Sequence, residues 1–257
     1  MQENINKDNT PPRKTPSSKT RNIYIMRLVG RIFVLVICSL LLILAPDQFK
    51  VLEGWNFFKT PSLLHLLWLI WLFDMFLQLI PAKANISIGS KKNFLAYFLP
   101  IKEKINKKAL KEYIVATTKS AYKVFIIWIA LTLVIGALYL SGIISRNIVF
   151  IITVIFYVCD LICVLIWCPF RLIMKNKCCT TCRIFNWDHL MMFSPFVFIG
   201  GFYPLSLLAI SVAVWSIWEF SVFLHPERFW SNSNEALRCD KCTDKLCTQY
   251  CQKIRTK

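Results

Sequence analysis

Residues 148–167 read IVFIITVIFYVCDLICVLIW, and Asp160 is the one charged side chain in this run of 20 residues. The hydrocarbon core of a bilayer is about 30 Å thick, and about 20 apolar residues span it as an α-helix. Cys168-Pro169 follows the run, and proline ends a helix because it lacks the backbone N–H that the next turn needs. The stretch therefore predicts a transmembrane helix.

Four other apolar stretches flank this run. Three of them are single candidate spans, at residues 28–45, 62–80 and 122–140. The fourth, residues 189–224, would be about 54 Å long as one helix, far more than a bilayer core needs. Gly200-Gly201 lies near its middle, so we expect a hairpin made of a short or re-entrant fifth segment and a sixth span, 205–224. The predicted fold is all-α: a polytopic membrane helical bundle of five to six segments in three hairpins, with a small cysteine-rich cytosolic module.

The composition supports the membrane class. Of the 257 residues, 56% are hydrophobic, and the mean hydropathy is +0.51. A soluble domain of this length does not need so much apolar surface. The formal net charge is +17, but no basic soluble domain of the kind that binds nucleic acid is evident. We therefore expect the lipid bilayer and its anionic headgroups as partners, and no nucleic acid.

The distribution of basic residues predicts the orientation. With the N-terminus inside, the cytosolic pieces carry 26 of the 31 lysines and arginines, and the outside loops carry three. An excess of Lys and Arg marks the cytosolic side. We therefore expect a plasma (inner) membrane protein with both termini in the cytosol. Its predicted parts are a disordered basic tail (1–22), a transmembrane domain (23–224) with inner loops at 83–121 and 168–188, and a cysteine-rich tail (225–257).

The inner loop 83–121 contains an amphipathic pattern. Apolar residues recur at helical spacing (Ile101, Ile105, Ala109/Leu110 and Tyr113/Ile114), and lysines fill most of the opposite face. This pattern predicts a helix that lies on the inner leaflet, with its apolar stripe in the acyl boundary and its lysines near the headgroups. The alternative is a solvated connector helix.

Two cysteine-dense segments lie on the predicted cytosolic side. The first contains Cys168 and then Cys178-Cys179-Thr-Thr-Cys182, and the second reads Cys239-x2-Cys242-x4-Cys247-x3-Cys251. Two thiolates three residues apart can chelate one ion, and four make a structural zinc site. We therefore predict zinc bound by Cys179, Cys182, Cys239 and Cys242, which would join the 168–188 loop to the tail.

Other interpretations of these cysteines stay open. A second thiolate set is available in Cys168, Cys178, Cys247 and Cys251, and eight thiolates could hold iron–sulfur clusters instead of zinc. A redox function, with Cys179 and Cys182 as a thiol pair, or reduced cysteines without a ligand are further alternatives. We interpret Cys159 and Cys163, inside the span, as small hydrophobic side chains, because buried cysteine is common in that role.

The charged side chains Arg31, Asp74, Asp160 and Glu219 lie within the predicted spans. Charges inside a bilayer are costly and face a partner or a water-filled cavity. We expect Arg31 to pair with Asp74, because a short loop joins their helices. Asp160 and Glu219 then remain for structural ion pairs or, as a transporter would use them, for binding a cation or relaying protons.

The sequence contains no recognised catalytic motif: it has no phosphate-binding glycine loop, no G-x-S-x-G and no H-E-x-x-H. Three segments do carry a resemblance: Trp167-Cys-Pro-Phe-Arg, Cys178-Cys-Thr-Thr-Cys-Arg-Ile-Phe-Asn-Trp-Asp188 and His225-Pro-Glu-Arg-Phe. In these segments the chain resembles an uncharacterised group of bacterial multi-spanning, cysteine-rich membrane proteins. That resemblance implies no activity, and it marks the cysteine segments as a shared feature of the group.

Overall fold

The chain folds as a bundle of α-helices. The computed structural model describes residues 19–80, 88–102, 105–176, 178–239, 242, 244 and 246, and these contain nine α-helices and no strand. In chain order the helices are α1 (Lys19–Leu44), α2 (Leu64–Leu79), α3 (Ile88–Lys91), α4 (Lys107–Leu140), α5 (Arg146–Leu165), α6 (Phe170–Met174), α7 (Asp188–Phe193), α8 (Phe196–Ile199) and α9 (Phe202–Leu224). The all-α prediction is confirmed.

Four of these helices, α1, α4, α5 and α9, are long and apolar enough to cross a membrane, and α2 is a shorter apolar helix of 16 residues. Large apolar side chains such as Phe33 and Ile126 are exposed along their outer faces. In water such a surface would be unfavourable, and in a bilayer it faces lipid. These helices define an integral membrane protein.

The stretch 189–224 forms the predicted hairpin. α7 and α8 cover only Asp188–Ile199, about 18 Å as a helix, and Gly200-Gly201 turns the chain into α9, which packs back along both. At the turn, the Phe202 N–H donates to the carbonyl of Gly54 (2.8 Å). Gly201 has φ +87°, and a Cβ there would lie 2.5 Å from the Leu52 carbonyl oxygen, so this close approach requires glycine.

The helix connections divide the bundle into two ends. At the short-loop end, residues 45–63, 141–145 and 200–201 come together, and Arg146 forms an ion pair with Glu53 (2.6 Å). At the cysteine end, residues 88–102, 166–187 and 225–239 pack against each other. α1 begins and α9 ends at the cysteine end, which agrees with an even number of crossings.

The main core surrounds the fully buried Trp71 of α2. Its ring makes edge-to-face contacts with Tyr157 of α5 (5.7 Å between centroids) and Phe193 of α7 (5.2 Å), and a tilted contact with Phe150 of α5 (5.8 Å). Such aromatic pairs contribute about 0.5–1.5 kcal/mol each beyond the area that they bury. Trp71 thus joins α2, α5 and α7, the three helices that carry most of the polar cluster described below.

The amphipathic stretch of the inner loop is not a separate surface helix. α4 is continuous over 34 residues, about 51 Å, and no proline or glycine interrupts it before Gly136. Leu110 is buried, and Tyr113 stacks on Trp230 of the C-terminal segment (5.7 Å). The apolar stripe therefore packs on protein at the cysteine end. α1 likewise begins at Lys19, four residues inside the stretch predicted as a disordered tail.

Candidate functional site

Two adjoining cavities lie in the half of the bundle nearest the cysteine end. The thiol cavity has a volume of about 290 Å³, and five cysteines line it: Cys159, Cys163, Cys168, Cys179 and Cys182. The ion cavity has a volume of about 70 Å³ and lies among α1, α2, α5 and α7. Asp160 and Asp188 line both cavities, so the two share a wall.

The local fold explains how the cysteines meet. Cys159 and Cys163 lie one turn apart on α5 and therefore on one face of that helix. α5 ends at Leu165, Cys168-Pro169 turns the chain into the short α6, and Lys175, with φ +50°, ends α6 in the left-handed conformation. The chain then returns, and Cys179 begins a short 3₁₀ turn beside the end of α5.

Cys168 lies at the centre of the cluster. Its sulfur is in hydrogen-bond contact with the thiols of Cys163 and Cys179, and it accepts from the backbone N–H groups of Phe170 and Arg171. Hydrogen bonds to a thiolate favour the ionised form. These donors, the Cys163 and Cys179 thiols above all, hold the pKa of Cys168 well below its usual range.

The pKa of two loop thiols shifts in the opposite direction. The Cys179 sulfur contacts the Cys168 sulfur and lies 3.3 Å from the Cys163 carbonyl oxygen, and its contact with Cys168 together with burial raises its pKa. Burial likewise raises the pKa of Cys182. The opposite pKa shifts favour an ionised Cys168 next to a neutral Cys179 thiol.

A buried lysine lies behind the cysteine loop. Lys92 is 3% exposed, its Nζ donates to the Cys182 carbonyl (3.3 Å), and it lies over the rings of Trp218 (5.2 Å) and Phe229 (5.5 Å). Burial lowers its pKa to about 7. The titratable groups that act on it in the described part of the chain are Cys182, Cys178 and Arg183, none of them a carboxylate, so a large part of the population is a neutral amine near neutral pH.

The predicted zinc ligands are not assembled in the described part of the chain. Each C-x2-C unit forms a tight turn, with the Cys182 N–H donating to Cys179 (2.9 Å) and the Cys242 N–H to Cys239 (3.4 Å). However, Cys239 and Cys242 are not part of the thiol cavity wall. Among the described residues, no group of three or more His, Cys, Asp or Glu side chains is arranged to hold a metal ion.

Two members of the second predicted thiolate set, Cys168 and Cys178, lie among the described residues. Cys168 lies in the thiol cluster, and the Cys178 sulfur contacts the Thr180 hydroxyl (3.1 Å). Cys247 and Cys251 lie outside the described residues. The tail does reach α5, because Leu246 is buried against Leu161 and Leu165.

Arg31 contacts both aspartates that lie near it in the bundle. Its Nη1 donates to Asp160 (2.6 Å) and to the Tyr157 carbonyl (2.7 Å), and its Nη2 lies 3.9 Å from Asp74. Arg31 therefore forms two ion pairs. The expected pair with Asp74 is the longer one, and Asp160, which was expected to remain without Arg31, forms the shorter one. α1 packs along α5, which brings Arg31 and Asp160 together although 129 residues separate them.

Glu219 also has a partner. Arg183 of the cysteine loop forms a two-point ion pair with it, and the Trp187 indole donates to it (2.7 Å). All four predicted intramembrane charges are thus ion-paired: Arg31 pairs with Asp160 and Asp74, and Glu219 pairs with Arg183 of the cysteine loop.

Asp188, to which the sequence assigned no role, and His189 complete the ion cavity. Asp188 accepts from the Gln78 amide (3.0 Å), and His189, at the start of α7, is 4% exposed with Nδ1 3.3 Å from Asp188. Asp188 directly follows Phe185-Asn-Trp and is the first residue of α7, and the fold places its carboxylate next to Gln78 of α2. Because Asp188 lies at the end of the cysteine loop, nothing in the sequence around it predicts that it lines a cavity between helices.

The fold and the site define a polytopic helical membrane protein with a cavity lined by thiols and, beside it, a buried cluster of charged side chains. No protein-family model matches the chain, and no curated protein or solved structure matches it either.

Proposed function

We propose that this integral membrane protein is a thiol–disulfide redox protein, with Cys168 as the reactive thiolate and Cys179 and Cys163 as resolving thiols. One observation carries the proposal: the Cys168 sulfur is surrounded by two thiols and two backbone N–H groups. The thiolate is the nucleophile in disulfide exchange, and reactive cysteines lie where neighbouring groups stabilise it. Cys163, set aside on sequence grounds, belongs to this centre.

The exchange proceeds in two displacements. The Cys168 thiolate attacks one sulfur of a substrate disulfide, which breaks that bond, forms a mixed disulfide and releases the first substrate thiolate. Cys179 then loses its proton and attacks the Cys168 sulfur, which forms the Cys168–Cys179 disulfide and releases the second substrate thiolate. The substrate gains two electrons and two protons, one from Cys179 and one from solvent, and the centre loses two electrons.

The direction of the reaction follows from the proposed orientation. We propose that the cysteine end faces the cytosol of a bacterial cell, because most of the lysines and arginines that the structure describes lie at that end. The cytosolic thiol pool keeps cysteines reduced. The resting centre is then the dithiol, and it acts as a reductant of disulfides that reach the cavity.

A redox titration tests the proposal. Purified protein in lipid nanodiscs is equilibrated with glutathione buffers of increasing oxidised fraction, alkylated, and mapped by mass spectrometry. We expect a Cys168–Cys179 or Cys168–Cys163 disulfide, and none of these in Cys168→Ser. Cys38→Ser is the matched control, because Cys38 is buried in α1 and is not part of the thiol cavity.

Metal analysis of the same preparation tests the alternative. Two C-x2-C turns still favour a structural zinc site, and zinc bound by Cys179, Cys182, Cys239 and Cys242 would be lost in Cys182→Ser and Cys239→Ser alike. One zinc per chain with that pattern, and no disulfide at any glutathione ratio, would contradict the redox proposal.

A further inference from the structure

The ion cavity holds buried polar atoms without partners. The Oε1 of Gln78, the Oδ1 of Asp188 and the Nδ1 of His189 are buried and have no hydrogen-bond partner within the described part of the chain. All three residues line the cavity, and His189 is 4% exposed. Gln Oε1 and an ionised Asp are acceptors only, so the site needs donors. A buried polar group without a partner costs about 1–3 kcal/mol.

The charges around the cavity also do not balance. Asp74, Asp160 and Asp188 carry three negative charges when ionised, whereas Arg31 and the exposed Arg27 carry two positive charges. Arg31 is already committed, since its Nη1 donates to Asp160 and to the Tyr157 carbonyl. Uncompensated charge at such a depth in a membrane protein is expensive. A positive charge placed next to Asp188 would reduce the imbalance.

We propose that the ion cavity is a proton-binding site, in which His189 takes the proton on Nδ1 and shares it with Asp188. In the protonated imidazole both ring nitrogens carry a proton, so the His189 Nδ1 becomes a donor toward the Asp188 Oδ2, 3.3 Å away. It also supplies the missing positive charge. A cavity of about 70 Å³ has room for water, which needs roughly 10–15 Å³ and donates to the remaining acceptors.

The proton has a route and a defined set of electrostatic neighbours. Arg27, exposed on α1, lines the cavity together with Ser90 at the cysteine end, so water can enter there. The titratable and charged groups that face His189 come from three helices besides its own: Tyr24, Arg27 and Arg31 on α1, Asp74 on α2, and Tyr157 and Asp160 on α5. Asp188 precedes it on α7. The acids outnumber the fixed cations next to the imidazole, which favours its protonated form.

The test uses the fact that the chain has three histidines. His65→Gln with His225→Gln leaves His189 as the single histidine, and ¹⁵N-histidine NMR of the full chain in nanodiscs then follows its protonation between pH 5 and 9. A second protein that keeps only His225, which is half-exposed, is the reference. We expect His189 to bind its proton at least about tenfold more tightly than His225, and Asp188→Asn to remove that difference.

A second variant keeps the test decisive if Asp188→Asn does not fold. The Gln78 amide donates to the same Asp188 oxygen that faces His189, so Gln78→Leu removes a competing donor. The proton affinity of His189 should then rise further. The proposal is overturned if His189 stays neutral throughout the range, if it titrates like His225, or if Gln78→Leu leaves its affinity unchanged.

Discussion

Arg183 and Glu219 form a two-point ion pair that fastens the cysteine loop to α9. The Arg183 Nη1 lies 2.7 Å from the Glu219 Oε1, and the second guanidinium nitrogen contacts the other carboxylate oxygen. The Trp218 indole donates to the Arg183 carbonyl (2.8 Å). Because Cys182 precedes Arg183 in the chain, the pair also positions one wall of the thiol cavity.

Glu219→Gln should destabilise the protein strongly. The Arg183 side chain is 6% exposed, so removal of the carboxylate charge leaves a buried cation without compensation, at a cost of about 3–5 kcal/mol. Denaturant unfolding in detergent micelles measures the loss. Glu53→Gln is the control, because its pair with Arg146 is half-exposed and worth about 0–1 kcal/mol after solvent screening. Equal effects of the two substitutions would contradict the assignment.

Asp160→Asn should cost more stability than Asp74→Asn. Arg31 donates to Asp160 at 2.6 Å, whereas its other nitrogen is 3.9 Å from Asp74. A hydrogen bond to a charged group contributes about 1.5–3 kcal/mol, and that is the expected difference between the variants. Unfolding of both in the same micelles decides the order. A larger loss in Asp74→Asn would restore the pairing expected from sequence alone.

The sequence predicted the helices better than it predicted their partners. The spans at 148–167 and 122–140 could be predicted because a bilayer requires a continuous apolar run. Gly200-Gly201 indicated the turn of the hairpin. The continuity of α4 was missed because the lysine-rich half looked like a surface helix. Nothing in the local pattern showed that Trp230 would cover its apolar stripe.

The thiol centre was predicted only in part for a similar reason. Spacing rules group cysteines that are close in sequence. They therefore paired Cys179 with Cys182 and Cys239 with Cys242, and they predicted that the two pairs bind one zinc ion. The structure places Cys179 against Cys168 and Cys163, because the chain reverses between the end of α5 and the 178–182 segment. Cys163 looked like an ordinary apolar-helix cysteine, and only the fold brings a loop thiol beside it.

Lys92 should make stability depend on pH. Burial lowers its pKa from about 10.5 to about 7, so between these values the folded state binds fewer protons than the unfolded state. The free energy of unfolding therefore rises with pH over this window. Below pH 7 Lys92 is charged in both states, and the full cost of burying its ammonium group applies. Lys92→Met should flatten the slope between pH 7 and 9.5 in unfolding measurements. An unchanged slope would mean that Lys92 does not titrate there.

Gly201→Ala should be much more harmful than Gly142→Ala. Both glycines have positive φ, +87° and +76°, so alanine is strained at each. A Cβ at Gly201 would also lie 2.5 Å from the Leu52 carbonyl oxygen, whereas Gly142 faces open space. Overpacking adds about 1–3 kcal/mol at Gly201 alone. Thermal unfolding of the two variants measures that difference, and similar melting temperatures would argue against the close contact with the 45–63 loop.

The pH dependence of alkylation at Cys168 tests the thiolate assignment most directly. Reduced protein is treated with iodoacetamide between pH 5.5 and 8.5, and the rates at Cys168 and Cys182 are read from the same digests by mass spectrometry. Both cysteines line one cavity, but neighbouring thiols lower the pKa of Cys168 and burial raises that of Cys182. We predict a rate at Cys168 that is nearly constant over the range, beside a rate at Cys182 that rises about tenfold per pH unit. A tenfold rise per unit at Cys168 as well would contradict the proposed redox centre.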